Sequence, residues 1–470
     1  MASPTDAIRS SAHSRASRRW TALLDLSDPT NPREAEWPAA EFIVGNPPFL
    51  GGKLLRRGLG DAYVGDLFTA YDGRVPREAD LVTYWHEKAR AQISGGRTRR
   101  AGLLATQNIR GGANRRVLER ITESGGIFFA YADEPWILSG ANVHISFVGQ
   151  DDGSDSEREL DGQPVASINP NLTVGLDLTR ARRLRENLGI AFQGVTLGGG
   201  FDVQAELAEA MLRATNPDGR TNADVVRPLL NAQDITGRLR GSWVIDFGSA
   251  RSEADAALFE GPFEYVRHHV KPARVESRRL AYAQRWWLPM EARPGLRNAL
   301  VGLGRFVATP ITAKHRLFVW VPSATLPSVS VVAVARDDDY TFGVLHSRVH
   351  QLWALGLGTQ LETRPRYTPT TCFETFPFPR PPDEQRDAIA VAARELVRLR
   401  DGWLNPLGLT EGELTKRTLT NLYNQRPFWL ANAHNDLDNA VLAAYGWPVD
   451  LANPEILERL LALNLERQPA

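Results

Sequence analysis

Hydrophobic and polar positions along residues 41–150 follow the pattern of an α/β domain. Short apolar runs, typical of buried strands, alternate with segments whose apolar residues recur every three to four positions, as on one face of a helix. The pattern predicts strands at 42–44, 102–106, 127–132 and 143–148 and helices at 80–93 and 114–123. This alternation predicts a parallel sheet that ends in a hairpin, a partial Rossmann-like arrangement.

The pattern changes at several points outside this domain. Residues 1–40 are rich in Ser, Arg and Pro and predict a poorly ordered leader, and residues 151–164 predict an acidic loop or linker. Residues 165–379 contain short strand-like runs and many turns, which predict a mixed α+β domain. Residues 380–470 follow a Pro-rich hinge and predict a helical C-terminal region, with helices at 384–404, 411–423, 427–445 and 454–465.

Composition excludes several classes of protein. Of the 470 residues, 43% are hydrophobic and 23% charged, values close to the globular average. No apolar run approaches the roughly 18 residues that span a bilayer. The single cysteine, Cys372, excludes a disulfide framework and a thiolate zinc or iron-sulfur site within one chain. We expect a cytoplasmic protein with no metal site and no membrane partner.

The distribution of charge favours a nucleic-acid partner, although the formal net charge is zero. Residues 263–316, here named the basic segment, contain nine Arg and two Lys against three Glu, with aromatic residues between them. Arginine suits phosphates and guanine edges because its guanidinium is planar and bidentate. We expect DNA contacts from five residues, Arg278, Arg279, Arg285, Lys314 and Arg316.

The tetrad Asn46-Pro47-Pro48-Phe49 follows the first predicted strand directly. Two prolines hold the backbone in a rigid loop at the carboxyl end of a strand, where open α/β sheets bind ligands. The Asn46 amide oxygen and the Pro47 carbonyl can both accept from one exocyclic amine, while the Phe49 ring can stack. Holding both amine hydrogens favours the nucleophilic form of the nitrogen. The alternative is a simple turn without chemistry.

Eight stretches of the sequence resemble the γ-type adenine-N6 DNA methyltransferases of the MmeI-like, Type IIG group, over about residues 41–465. They are FIVGNPPFLGGKLLRRGLGDAYV (42–64), EADLVTYWHEKA (78–89), AGLLATQNIRGGANRRVLERI (101–121), EYVRHHVKP (264–272), ATPITAKHRLFVW (308–320), FGVLHSRVHQLWALGLGTQLE (342–362), RYTPTTCFETFPFP (366–379) and LTNLYNQRPFWLANAHNDLDNAVLAAYGWP (419–448).

The resemblance implies a role for each residue of the first stretch. Asn46 and Pro47 would hold the amine of a flipped adenine, and Phe49 would stack on its ring. Gly51-Gly52 would let the backbone approach the substrate closely. Thr106–Asn108, at the end of the next strand, would either wall the pocket or form a polar loop without contact. Residues 165–379 would be a target-recognition domain that reads double-stranded DNA.

The sequence departs from the family in its cofactor motifs. The glycine-rich motif and the acidic residues that hold S-adenosylmethionine would precede Asn46, and neither occurs in the 45 residues there. The endonuclease domain of the family, which would also precede Asn46, is not found in this sequence either. Only a partial cofactor site, at Asn46, is therefore expected. We interpret the chain as the C-terminal portion of a methyltransferase, inactive alone and in need of a second polypeptide with the cofactor-binding half, or as a truncated or degenerate remnant.

Other functions stay open at this point. N4-cytosine methylation uses the same amine chemistry, although Asn46 and Phe49 favour adenine. C5-cytosine methylation is disfavoured because it needs a cysteine after a proline, and Cys372 follows Thr371. A glutamine methyltransferase would leave the domain at 165–379 unexplained. A DNA-specificity module without catalysis needs only the basic segment and recognition loops.

Overall fold

The fold is described from a computed structural model that covers residues 22–28, 31–138, 141–277, 279–361 and 364–467. The chain divides into two compact units, residues 1–179 and 180–470. The finer domain boundaries at 151–164 and at 379 stay predictions. Among the described residues, no helix is long and apolar enough to cross a bilayer.

The first unit contains a six-stranded sheet and four α-helices in its described part. The strands are β1 (Leu24–Asp25), β2 (Arg33–Glu34), β3 (Phe42–Gly45), β4 (Arg100–Thr106), β5 (Gly126–Leu138), β6 (Ala141–Asp151), β7 (Arg158–Leu160) and β8 (Gln163–Val165). The helices are α1 (Leu55–Leu59), α2 (Asp61–Ala70), α3 (Val82–Ser94) and α4 (Gly112–Ser124).

The sheet has the order β3-β4-β6-β5-β7-β8, which confirms the predicted α/β class. β3 and β4 are parallel, with Gly45 opposite Leu103. The predicted hairpin is present, but its second strand, β6, inserts antiparallel between β4 and β5. Alternate residues of β4 are buried, which is why its apolar positions recur every second residue.

β3 lies at an edge of the sheet. Among the described residues its only partner strand is β4. Two of its apolar side chains face away from the core, since Phe42 is 53% exposed and Val44 is 86% exposed. A parallel strand with exposed apolar side chains is unusual, because parallel sheets are normally covered and their edges are protected.

The leader predicted at residues 1–40 is described only in part, since residues 1–21 lie outside the described residues. From Ala22 onward the chain packs on the first unit: β1 and β2 pair with each other, and Leu23 and Leu24 are buried in the hydrophobic core. The Tyr71 hydroxyl donates to the Leu23 carbonyl at 3.3 Å.

The second unit contains mixed sheets followed by helices. Its strands are β9 (Ala191–Gln193), β10 (Asp202–Val203), β11 (Val226–Leu230), β12 (Trp243–Ile245), β13 (Arg305–Pro310), β14 (Val319–Pro322), β15 (Leu326–Pro327), β16 (Val331–Val334), β17 (Thr359–Leu361) and β18 (Arg364–Arg366). Its helices are α5 (Ala205–Arg213), α6 (Ala232–Thr236), α7 (Glu253–Ala257), α8 (Glu260–His269), α9 (Lys271–Val275), α10 (Leu280–Gln284), α11 (Pro294–Ala299), α12 (Asp339–His346), α13 (Arg348–Leu357), α14 (Asp383–Leu404), α15 (Glu411–Leu414), α16 (Leu419–Gln425), α17 (Phe428–Ala444) and α18 (Asn453–Glu466).

Two four-stranded sheets organise the first part of this unit, in the orders β10-β12-β11-β15 and β14-β13-β16-β9. The long helices α14, α17 and α18 follow, which confirms the predicted change from mixed α+β to helical structure. One helix differs from the prediction: the segment predicted at 411–423 forms two helices, α15 and α16. The second begins at Leu419, and the hydroxyl of the preceding Thr418 accepts from the backbone N–H of Asn421 at 3.1 Å and so caps the new helix.

Buried histidines occupy the core beside α12 and α13. The His346 Nε2 accepts from Arg400 Nη1 at 2.9 Å, so this ring is neutral. The His350 Nδ1 donates to the Leu345 carbonyl at 3.0 Å, and its Nε2 accepts from the Tyr367 hydroxyl at 3.1 Å. Burial lowers the pKa of His350 to about 3. Protonation of either ring would therefore destabilise the folded second unit.

We predict that acid weakens the second unit through His350. Its folded pKa lies below the unfolded value of about 6.5, so its contribution to stability is complete above pH ~6.5 and is lost as the pH falls toward 3. At pH 5 the loss is about 2 kcal/mol. His350→Gln cannot be protonated and should lose about 2 kcal/mol less than the unmodified chain between pH 7.5 and pH 5 in urea unfolding.

The matched control is His268→Gln, because the His268 side chain is 66% exposed. This variant should follow the unmodified chain at every pH. Equal pH dependence in His350→Gln and in the unmodified chain would contradict the assignment of acid sensitivity to the buried ring.

Candidate functional site

The tetrad Asn46–Phe49 directly follows β3 and lies at the end of the sheet where both β3 and β4 finish. The parallel register of β3 and β4 brings their carboxyl ends together. Pro47 is buried and Phe49 is partly buried against the core of the first unit, whereas Asn46 is exposed. The Asn46 side chain has no hydrogen-bond partner among the described residues, so both atoms of its amide group are free to contact a ligand.

The segment after the tetrad is fixed by the loop that precedes α3. The Leu81 amide donates to the Leu50 carbonyl at 2.9 Å. The Gly52 amide donates to the Asp80 Oδ1 at 2.8 Å. The pairing of β3 with β4 fixes the chain before Asn46, and the two prolines and these hydrogen bonds limit it after Asn46, so the backbone at Asn46 is constrained from both sides.

Asp80 is itself held by Asn114, near the start of α4. The Asn114 Nδ2 donates to the Asp80 Oδ2 at 2.8 Å, and the Asn114 Oδ1 accepts from the Asp80 amide at 2.7 Å. The same Nδ2 lies 3.3 Å from the Asn108 carbonyl, in the loop after β4. Asp80 and Asn114 therefore join the loops that follow β3 and β4, and this group is named the Asp80 clamp.

Sequence reasoning did not assign a role to Asp80 or to Asn114. Asn114 is 8% exposed, and a buried amide requires hydrogen-bond partners. The available signal was a polar residue at the first position of each of the two predicted helices, Asp80 of the helix at 80–93 and Asn114 of the helix at 114–123.

The two glycines after the tetrad differ in what their backbone contacts. A Cβ on Gly52 would lie 2.1 Å from the Glu78 carbonyl oxygen, so this position needs glycine because two chain segments approach closely. A Cβ on Gly51 would meet only the Asp80 Oδ1, at an ordinary 3.7 Å. The backbone of Gly51, with φ −64° and ψ 144°, is open to any residue. The close approach at Gly52 is thus internal to the chain.

We predict that Gly52→Ala destabilises the first unit by about 2 to 4 kcal/mol, because backbone atoms must move to admit the methyl group. Gly51→Ala is the matched control and should change the free energy of unfolding by less than about 0.5 kcal/mol. Urea unfolding of both variants measures the difference. Similar values for the two would show that the Gly52 contact is not tight in solution.

Polar side chains from β5, from β6 and from the loop after β4 meet at the same end of the sheet. Thr106 of β4 lies opposite Ile145 of β6, so the residues just after Thr106 are level with His144. Asp133 of β5 accepts from Arg110 Nη2 at 3.0 Å and lies 2.7 Å from His144 Nδ1. None of these three residues was singled out from the sequence. Thr106–Asn108 were expected either to wall the pocket or to form a polar loop without contact; Thr106 is half-buried, and Gln107 and Asn108 are exposed.

Four of the nine arginines of the basic segment pair with described carboxylates of the second unit. Arg297 forms a bidentate pair with Asp246, both bonds being 2.7 Å long. Arg305 pairs with Asp339 at 2.8 Å. Further pairs join Arg267 to Glu264 and Arg293 to Glu291. The charge of these four arginines is therefore already balanced within the unit.

The aromatic residues of the basic segment other than Tyr282 lie in the core or pack against it. Trp286, Trp287 and Phe306 are buried. The Tyr265 hydroxyl donates to the Asp202 carbonyl at 2.9 Å. The expected alternation of arginines with exposed stacking rings is therefore absent from these four positions.

The residues predicted to contact DNA lie on different elements of the second unit. Arg278 is outside the described residues. Arg279 is exposed and donates to the Tyr282 hydroxyl at 3.0 Å, and exposed Arg285 donates to the Ser249 carbonyl at 2.7 Å. Neither pairs with a carboxylate of the described residues. These two remain free to contact an anion.

Lys314 and Arg316 lie on the loop between β13 and β14. The exposed Lys314 Nζ donates to Asn424 Oδ1 at 2.7 Å. Arg316 is occupied within the unit, since it donates to Thr309 Oγ1 at 3.0 Å and to the Pro365 carbonyl at 3.1 Å. Its guanidinium supports the loop, which leaves it few donors for a ligand.

Comparison with known proteins identifies relatives of both the sequence and the fold. Residues 311–380 match a family model of the MmeI target recognition domain. The chain has the fold of the Type IIL restriction-modification enzyme MmeI, solved in complex with DNA: the TM-score is 0.71 at 21% identity, over 91% of this chain and 57% of that chain. The predicted resemblance to MmeI-like enzymes is confirmed.

A curated relative is DNA methyltransferase A of Bacillus subtilis (strain 168). It is 29% identical over 165 residues, which cover 34% of this chain and 17% of the relative. The chain thus spans little more than half of the MmeI chain and less than a fifth of this methyltransferase. It is similar to DNA methyltransferases of restriction-modification systems and carries a segment similar to an MmeI target recognition domain.

A site for S-adenosylmethionine is incomplete among the described residues. The exposed amide of Asn46 can face such a cofactor, but the sheet edge beside β3 carries no further described strand that could hold its adenosine. No group of three or more His, Cys, Asp or Glu suited to a metal ion occurs in the described part of the chain.

Proposed function

We propose that the chain is the target-binding part of a site-specific adenine-N6 DNA methyltransferase. The observation that carries the proposal is the exposed, unpartnered Asn46 amide, held on a proline-stiffened loop at the carboxyl edge of the sheet. The similarity to MmeI and to a DNA methyltransferase supports the reaction class.

The chain's own contribution to catalysis would be to hold the target amine. Bound S-adenosylmethionine would supply an electrophilic methyl group. The Asn46 Oδ1 and the Pro47 carbonyl would accept the two hydrogens of the adenine amine, which keeps its lone pair out of the ring and directed at the methyl carbon. Because the loop is already fixed by the Asp80 clamp, little reorganisation is needed when the base arrives.

Phe49 would bind the flipped base by stacking. Its ring packs partly on the core of the first unit and partly faces outward. A ring fixed on one side offers a rigid platform on the other, which lowers the entropic cost of holding a base outside the duplex.

The open edge of β3 is where a cofactor-binding half would continue the sheet. Phe42 and Val44 are exposed there, and the free backbone groups of an edge strand pair readily with another strand. Such a strand would lie next to Asn46 and could bring S-adenosylmethionine to it. We therefore expect the chain to need a second polypeptide or a further domain for methyl transfer.

The second unit would recognise the DNA sequence. The match of residues 311–380 to the MmeI target recognition domain supports this assignment. The same match favours a second candidate function, a DNA-specificity module that binds its site without methylating it, because DNA recognition needs no cofactor. Methyl transfer by a reconstituted complex distinguishes the two.

We predict that Asn46→Ala lowers methyl transfer by about 10² to 10³, since it removes one of two preorganised acceptors on the amine. Phe49→Ala should cost about 1 to 3 kcal/mol of base stacking. The assay combines the chain with the cofactor-binding half of a related enzyme and measures transfer of labelled methyl groups to duplex DNA.

DNA affinity is the control for these variants and should hardly change. Near-normal transfer by Asn46→Ala would reject the assigned site. Label on cytosine rather than adenine would favour N4-cytosine methylation. A C5-cytosine mechanism is not proposed, because the thiol of Cys372 is buried in the second unit.

We predict that Arg279→Ala with Arg285→Ala weakens binding to duplex DNA of any sequence and makes the salt dependence shallower by about one unit per lost phosphate contact. The matched control is Arg305→Ala combined with Asp339→Ala, which removes an arginine that is already paired. Electrophoretic titrations at several salt concentrations measure both. Unchanged affinity and slope in the first variant would exclude these arginines from the interface.

A further inference from the structure

A polar cavity of about 610 Å³ lies in the second unit between α13, α17 and the loop after β13. Its lining includes three arginines, Arg316, Arg348 and Arg426, but only one carboxylate among the described residues, that of Asp438. Two positive charges are therefore uncompensated.

The three arginines are not neutralised by ion pairs with described residues. Arg316 donates to hydroxyl and carbonyl oxygens, as described above. Arg348 Nη2 donates to the Leu451 carbonyl, and its Nε is buried without a partner. The Arg426 side chain is exposed and has no hydrogen-bond partner in the described part of the chain. This contrasts with Arg297 and Arg305 of the basic segment, which pair with Asp246 and Asp339.

The remaining titratable groups do not reverse this balance. The Asp438 Oδ1 accepts from the Arg348 amide at 2.6 Å, and burial raises the pKa of Asp438 to about 6. Burial, and then the charge of Arg400, lowers the pKa of His434 to about 4. The His434 Nε2 lies 2.8 Å from the Tyr423 hydroxyl. At neutral pH the histidine is neutral and the carboxylate is charged, so the cavity keeps its positive charge.

We propose that this cavity binds a phosphate group, with Arg348 and Arg426 as charged donors and the Asn435 amide as a neutral one. A phosphate monoester carries a charge of about −1.5 to −2, which matches the two uncompensated positive charges, and each backbone diester of DNA carries about one negative charge, which they attract as well. Arginine donors form strong charge-assisted hydrogen bonds with such oxygens. The cavity volume also admits the sugar and base of a mononucleotide. The group comes from duplex DNA or from a free nucleotide, and the proposal does not depend on methyl transfer.

The test is a thermal-unfolding titration of the full chain with inorganic phosphate at constant ionic strength, with chloride as the reference anion. Phosphate should raise Tm more than chloride does, and the stabilisation should grow as the logarithm of 1 + [phosphate]/Kd. Arg348→Gln with Arg426→Gln should raise the Kd fitted from this shift by about tenfold or more. Arg213→Gln, whose side chain is 76% exposed on α5, is the control for loss of one positive charge and should behave like the unmodified chain.

Two further variants keep the test decisive if the double variant does not fold. Arg426→Gln alone changes only an exposed side chain and should still weaken phosphate binding severalfold. Asp438→Asn removes the only carboxylate among the described lining residues and should tighten phosphate binding. If phosphate stabilises the chain no more than chloride does, the proposal is overturned, and it is also overturned if both of these variants bind phosphate as the unmodified chain does.

A second arm assigns the source of the phosphate. If duplex DNA supplies it, Arg426→Gln should weaken binding of a 30-base-pair duplex and reduce its salt slope by about one. If a free nucleotide supplies it, the same variant should lose stabilisation by adenosine monophosphate while its DNA affinity stays constant. Constant responses to both ligands would overturn the proposal.

Discussion

The geometry of the candidate site depends on the Asp80 carboxylate. One of its oxygens binds the Gly52 amide, after the tetrad, and the other binds Asn114, whose amide also reaches the loop after β4. Parallel strands bring the two loops to the same edge, but hydrogen bonds from a third segment define their conformation. The close backbone contact at Gly52 follows from this arrangement. Asn46 can stay exposed and unpartnered because its neighbours, not its own side chain, hold the loop.

A second constraint is the use of arginine. The chain has 55 basic and 55 acidic residues, so a cluster of unpaired arginines marks a place where an anion can bind. In the basic segment the bidentate Arg297–Asp246 pair stabilises the fold. Guanidinium groups without a carboxylate partner among the described residues occur at Arg279 and Arg285. Arg426, which lines the cavity, has none either. The stretch of sequence with the most basic residues is therefore not the only place in the folded second unit where unpaired arginines lie.

The sequence predicted those features that depend on local pattern. The strands predicted in residues 41–150, the helices predicted at 80–93 and 114–123 and most helices after residue 380 agree closely with the structure, because burial imposes a period of two or of 3.6. The helices α1 and α2 were not predicted. The insertion of β6 between β4 and β5 could not be predicted, because strand pairing is non-local. The Asp80 clamp joins residues 34 positions apart, and the burial of Trp286 and Trp287 depends on tertiary packing. Local sequence carries neither kind of information.

The central claim is that the exposed edge at β3 binds the part of the enzyme that carries S-adenosylmethionine, next to Asn46. The most direct test is hydrogen exchange at the backbone amides of Phe42–Gly45, with and without the cofactor-binding half of a related enzyme. The account predicts that the amides facing away from β4 exchange rapidly in the chain alone and slowly in the complex. Slow exchange of these amides in the chain alone, or no change when the cofactor-binding half is added, would contradict it.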